Sequence, residues 1–112
     1  MSLSTHVLDT STGLPAAGMT VELAEVSFDG KDRPIVTVTT DADGRHKFRE
    51  SPGVGVYRMR FLTGDYLAGS GAATLYPWTD VTFSITGDRN EPSHLHIPLL
   101  LSPYGYSTYR GS

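Results

Sequence analysis

A two-residue alternation of apolar and polar side chains runs through most of this sequence and confines it to β structure, because only a strand sends successive side chains to opposite faces. In Tyr57-Arg58-Met59-Arg60-Phe61 the Tyr, Met and Phe fall on one face and both arginines on the other, and Val81-Thr82-Phe83-Ser84-Ile85-Thr86 repeats the device with Thr and Ser outward. Helical periodicity is nearly absent. Thr5 to Asp9, Met19 to Phe28, Ile35 to Thr40, Arg45 to Arg49, His94 to Leu100 and Tyr104 to Arg110 complete a set of about eight predicted strands. Asp29-Gly30 and Asp43-Gly44 supply turns between them, and Pro52, Gly53 and Gly55 break the chain before the Tyr57 strand. The exception is Thr63 to Pro77, where Ala and Leu invite a short helix but Gly69 and Gly71 would each cost about 1 kcal/mol inside one. A short helix or an ordered loop is expected there. With no internal repeat and no linker, residues 1–112 are expected to form one domain, an all-β antiparallel sandwich.

Charge excludes several kinds of partner. Nine Lys plus Arg against twelve Asp plus Glu leave a net charge of −3, and the basic residues are scattered, so there is no electrostatic footprint for nucleic acid or anionic lipid. The hydrophobic share of 38% and charged share of 19% suit a soluble globule better than a disordered or membrane-embedded chain. A domain of this size buries roughly 65% of its unfolded surface, enough for a core without disulfides or structural metal. The absence of cysteine also removes a thiol nucleophile and thiolate ligands. Met1 to His6 has no basic or apolar leader pattern, and no window reaches the roughly 18 apolar residues of a spanning helix, so a cytoplasmic location is expected.

The groups suited to chemistry near neutral pH are His6, His46, His94 and His96, with the arginines and carboxylates. His94-Leu95-His96 puts two imidazoles on one strand face, about 7 Å apart by the strand rise, while Leu95, Ile97 and Leu99 point the other way. That face reads either as a catalytic or metal-binding surface or as a solvated sheet that carries imidazoles, and spacing alone does not separate the two. A His-x-His pair needs a third or fourth ligand to hold zinc or copper, and no local cluster supplies one, so no metal or cofactor is expected. His6 and His46, taken singly, read as surface residues. Arg45 follows the turn Asp41-Ala42-Asp43-Gly44, where a planar guanidinium either grips a carbonyl or oxyanion with two hydrogen bonds or pairs with Asp41 or Asp43. The C-terminal Tyr104 to Ser112 places Tyr104, Tyr106, Thr108 and Arg110 on one face, reading as a last core strand or as an edge that pairs with another subunit.

Several of these segments together resemble a known family. Ser4-Thr5-His6-Val7-Leu8-Asp9-Thr10, Gly13-Leu14-Pro15-Ala16, Asp43-Gly44-Arg45 and above all His94 to Ser112, ending Tyr109-Arg110-Gly111-Ser112, look like the 5-hydroxyisourate hydrolases, also called transthyretin-related proteins. The resemblance covers essentially the whole chain. In that family a first-strand histidine, here His6, distinguishes the hydrolases from the hormone carrier transthyretin, which has a lysine there. Leu95 departs from the family by standing where an aromatic is frequent, on the side away from His96.

The resemblance implies a sandwich of two four-stranded sheets, assembled as a homotetramer with active sites in a central channel. It implies opening of the six-membered ring of 5-hydroxyisourate by water, giving 2-oxo-4-hydroxy-4-carboxy-5-ureidoimidazoline in urate breakdown. Carried over residue by residue, His6, Arg45 and His96 would be catalytic, and Tyr109, Arg110, Gly111 and Ser112 would shape the substrate site; His94 and His46 are not carried over. These residue types suit the reaction: an imidazole takes a proton from water at neutral pH, and a guanidinium stabilises the anion forming on the attacked carbonyl. Sequence does not decide which histidine is the base. Two other classes remain, a transthyretin-like carrier that binds without reacting and a histidine-based metal protein.

Overall fold

The alternating segments pair into two packed sheets in the computed structural model, which describes all 112 residues. In chain order the elements are β1 (Ser2–Asp9), β2 (Leu14–Pro15), β3 (Thr20–Glu25), β4 (Arg33–Thr39), β5 (Arg45–Lys47), β6 (Gly55–Phe61), α1 (Thr63–Gly69), β7 (Thr79–Ile85), β8 (His94–Ser102) and β9 (Gly105–Thr108). One sheet has the order β2-β1-β8-β9, with β5 also paired to β1, and the other has the order β4-β3-β6-β7. The all-β sandwich with one short helix is therefore as the sequence indicates.

Two details differ from expectation. The first sheet has five strands instead of four, because Leu14–Pro15 forms a strand of two residues, too short to show an alternation. Pairing is also not wholly antiparallel: β1 runs parallel to β8 from Ser2↔His94 to Asp9↔Leu101. A parallel pair needs a long crossover, and here the entire second sheet supplies it. The helix is realised over Thr63–Gly69, with Thr63 and Leu67 buried. It stops at Gly69, so neither Gly69 nor Gly71 has to be accommodated in a helix interior. No helix is long and apolar enough to cross a membrane.

The core is a cluster of 17 buried residues drawn from both sheets. Leu3 and Val7 of β1 and Leu95, Ile97, Leu99 and Leu101 of β8 meet Val21, Leu23, Tyr57, Met59, Phe61, Val81 and Ile85 of the facing sheet. Each such large side chain contributes roughly 1.5–3 kcal/mol relative to exposure. The buried Thr5 hydroxyl donates to the Ile97 carbonyl at 2.7 Å, so its inward position leaves no polar group unpaired. Since Leu3, Thr5 and Val7 point inward, Ser2, Ser4 and His6 point outward; on β8 the same rule turns His94 and His96 out. On the second sheet, Arg58 pairs with Asp32 and Arg60 with Asp80, on the face opposite the core.

Candidate active site

Three strands bring the outward side chains together. The β1–β8 register sets Ser4 beside His96 and His6 beside Pro98, and the antiparallel β1–β5 register sets Ser4 beside Lys47 and His6 beside Arg45. Residues paired across a sheet share a face, so His6, Arg45 and His96, 39 and 51 positions apart in sequence order, lie on one outer surface. A cleft of about 360 Å³ opens there, lined by Ser4, Arg45, Lys47, His94, His96 and Ser112 among nine residues, none of them hydrophobic. Its size is that of a small-molecule site. His6 is half-buried and does not line this cleft, standing one step along β1 from Ser4 on the same face. A larger concavity of about 670 Å³ lies on the other sheet near Phe28 and Val54, but no imidazole reaches it.

The loop before β5 holds Arg45 in place. Asp41 accepts the backbone N–H groups of Asp43 and Arg45 at 2.9 Å each, closing the turn. The Arg45 N–H bond is the main reason the Asp41 carboxyl sits below the usual carboxylate range. Gly44 in this turn has φ +72°, and a Cβ on it would lie 2.6 Å from the Val7 carbonyl oxygen, so the turn is pressed against β1 where only glycine fits. None of the three ion pairs in the protein involves Arg45. Of the two readings of this arginine, the geometry matches the free guanidinium and not the pair with Asp41 or Asp43.

A continuous row of hydrogen bonds crosses the same face. The Ser2 hydroxyl lies 2.5 Å from His94 Nδ1, the Ser4 hydroxyl 2.9 Å from His94 Nε2, and the same Ser4 hydroxyl 2.7 Å from His96 Nδ1. Burial, followed by the neighbouring Arg45, His6 and His94, holds His96 below the ordinary imidazole pKa, which keeps it neutral near pH 7. Ser2, Ser4 and Lys47 escaped the sequence reading. The signal was available, since Ser2, Ser4 and His6 alternate on one face of the first strand, but serine on a polar face attracts no notice by itself.

The C-terminal tail divides between two places. Gly111 bridges to His96, donating its N–H to the His96 carbonyl at 2.8 Å, and Ser112 lines the cleft. A side chain at Gly111 would run into His96 Cδ2, so the tail passes directly over the imidazole because residue 111 has none. Tyr109 and Arg110, by contrast, line a separate cavity of about 290 Å³ with Phe83, Leu95 and Ile97. His46 alternates with Arg45 along β5 and meets Phe48 edge-on, ring centroids 4.8 Å apart, yet it too contributes to the wall of the cleft.

These features define a class: a transthyretin-type sandwich whose outer sheet face carries imidazoles and a guanidinium. The model of the HIUase/Transthyretin family matches residues 3–111, and the chain belongs to that family. A protein of Mesorhizobium japonicum named 5-hydroxyisourate hydrolase is 46% identical over 98% of this chain and 91% of its own length. The solved 5-hydroxyisourate hydrolase of Klebsiella pneumoniae superposes with a TM-score of 0.85 at 38% identity, covering 100% of both chains. Sea bream transthyretin, solved in complex with thyroxine, gives a TM-score of 0.86 at 28% identity over 97% of this chain and 93% of its own. The backbone thus fits both branches of the family equally, and the side chains must tell them apart.

Proposed function

We propose that this chain is a 5-hydroxyisourate hydrolase, the activity for which its Mesorhizobium and Klebsiella relatives are named. The observation that carries the reading is the placement of His6, Arg45 and His96 on one sheet face, with Arg45 and His96 lining a cleft that has no hydrophobic residue in its wall. In the reaction, water oxygen adds to a ring carbonyl carbon, the ring C–N bond breaks, the departing nitrogen takes a proton, and a carboxyl group remains. One imidazole removes the proton from water, an effect of roughly 10²–10⁴-fold. Arg45 donates to the oxygen that becomes anionic; losing such a donor costs roughly 10²–10³-fold. Tyr109, Arg110, Gly111 and Ser112 complete the substrate site, and no cofactor takes part in this scheme.

The same proposal includes a single domain over residues 1–112, a cytoplasmic location and a homotetramer with the clefts in a central channel. Assembly would bring Tyr109 and Arg110 of one copy toward the cleft of another. Supporting it, β9 and β7 end their sheets unpaired, and Tyr104, Tyr106 and Tyr109 are exposed beside the β9 edge. Light scattering on the purified protein is expected to return about four times the 12.1 kDa of one chain. The carrier alternative draws on the thyroxine-bound relative, yet no hydrophobic residue lines this cleft, where ligand pockets are usually lined predominantly by hydrophobic and aromatic side chains.

The deciding experiment is an ultraviolet time course in which urate oxidase generates 5-hydroxyisourate and this protein is added. Accelerated decay of the intermediate is expected, lost in His6→Ala and His96→Ala variants that remain folded. Decay at the spontaneous rate with the intact protein would refute the hydrolase reading.

A further inference from the structure

The row of hydrogen bonds across the site has a direction, and one end of it sets that direction. The Ser2 hydroxyl lies 3.4 Å from the Ser93 carbonyl oxygen, which can only accept. A hydroxyl has one proton, so Ser2 gives it to Ser93 and must accept from His94 Nδ1–H. A neutral imidazole carries one N–H, so His94 Nε2 is then an acceptor and takes the Ser4 hydroxyl proton. Ser4 has nothing left to donate and accepts from His96 Nδ1–H at 2.7 Å. That leaves His96 Nε2 without a proton. No protein group bonds this nitrogen, and the one buried side-chain nitrogen or oxygen lacking a partner is Arg58 Nε, so His96 Nε2 is open to the cleft its ring lines.

We infer that Ser4, backed by His94 and Ser2, is a positioning residue that holds His96 as its Nδ1–H tautomer and so makes His96 Nε2 the general base of the reaction. Free imidazole side chains prefer the opposite tautomer, with the proton on Nε2, which could donate to water but not deprotonate it. Two neighbouring facts fit this role. His96 stays neutral near pH 7, so its Nε2 lone pair is available. The Gly111 N–H fixes the His96 backbone from the other side, and with Ser4 bonded to Nδ1 the ring has little freedom to flip. His6, two positions along β1 and without a bond in this row, is left to orient substrate or water. The inference rests on the hydrolase reading for its chemistry, but the tautomer itself does not.

The test is a long-range 1H–15N correlation spectrum of the full chain labelled with 15N-histidine, at about pH 8, above the ordinary imidazole pKa near 6.5. His96, assigned by the signals missing from His96→Gln, is expected to show a protonated Nδ1 and a bare Nε2. In Ser4→Ala the proton is expected to move to Nε2, with kcat falling roughly 10–100-fold and KM changing by less than about twofold. Ser4→Thr, which keeps the hydroxyl, is expected to restore both tautomer and kcat. A wild-type His96 protonated on Nε2 would overturn the inference, as would Ser4→Ala retaining the original tautomer and rate. If the intact protein shows the Nδ1–H tautomer but no turnover, the hydrolase reading fails and the hydrogen-bond direction stands. The reverse result separates the two just as cleanly.

Discussion

Replacing Gly111 with alanine probes the site at its tightest point. The added methyl would sit inside the contact distance of His96 Cδ2, and would also lie 3.3 Å from Cγ of the same ring and 3.4 Å from Pro98 Cδ. Ordinary carbon separations of about 3.5–4.0 Å demand a relative shift of about 1 Å between tail and imidazole. Pro98 is buried in β8, so the tail or the ring has to yield. If the tail lifts, the 2.8 Å bond from Gly111 N–H to the His96 carbonyl goes with it; if the ring turns, Ser4 loses Nδ1. A displacement of about 1 Å at a reacting group costs on the order of 10²-fold, so kcat/KM for 5-hydroxyisourate is expected to fall by about that factor. Gly111 lies outside the core, so the melting temperature is expected to stay within roughly 3 °C of wild type. The assay pairs the coupled ultraviolet measurement with a thermal melt. Wild-type kcat/KM in a stably folded Gly111→Ala protein would refute the claim that the tail holds the imidazole in its working position.

Other expectations follow from the same geometry. Arg45→Ala is expected to lower kcat by roughly 10²–10³-fold, and Arg45→Lys to recover little of it, because an ammonium cannot reproduce two parallel donors; steady-state kinetics of both variants checks this. The groups facing His96 are Ser4 and His6 of β1, Arg45 and Lys47 of β5, His94 of its own strand and the tail at Gly111. Burial first, then Arg45, His6 and His94, oppose protonation of His96, so the base stays free as pH drops and the acid limb of kcat/KM falls below the ordinary 6.5. Arg45→Ala is expected to move that limb upward, and a pH–rate profile of residual activity reads the shift. Leu99→Ala, at a fully buried position of β8, is expected to cost about 2–5 kcal/mol in equilibrium denaturation.

Much of the fold was legible because its signal is local. Tyr57 to Phe61 and Val81 to Ile85 announce their strands by period two, and the predicted faces are those the core selects. Strand pairing is a different kind of information. Nothing in Ser2 to Asp9 states that its neighbour is β8 or that the two run parallel, since period two gives the face of a residue and not its partner. The candidate site divides in the same way. That His94 and His96 share a face was readable from spacing, but that Arg45 and His6 join them depends on registers between β1, β5 and β8. The family resemblance supplied that grouping where local physics did not. Ser2 and Ser4 were given no role by either route, although Ser4 stands in a segment that carries the resemblance, because their place in the site lies in a hydrogen-bond order that appears only once the registers are known.

The parallel β1–β8 pair also governs when this site can exist. Ser2 and His94 are 92 residues apart, so while the chain emerges from the ribosome β1 has to wait for β2 to β7 before meeting its main partner. Contacts of such long range are late and slow to close. Until β8 has been made, a nascent chain carries His6 and Arg45 without His96, so the proposed site forms only once β1 and β8 have both been synthesised.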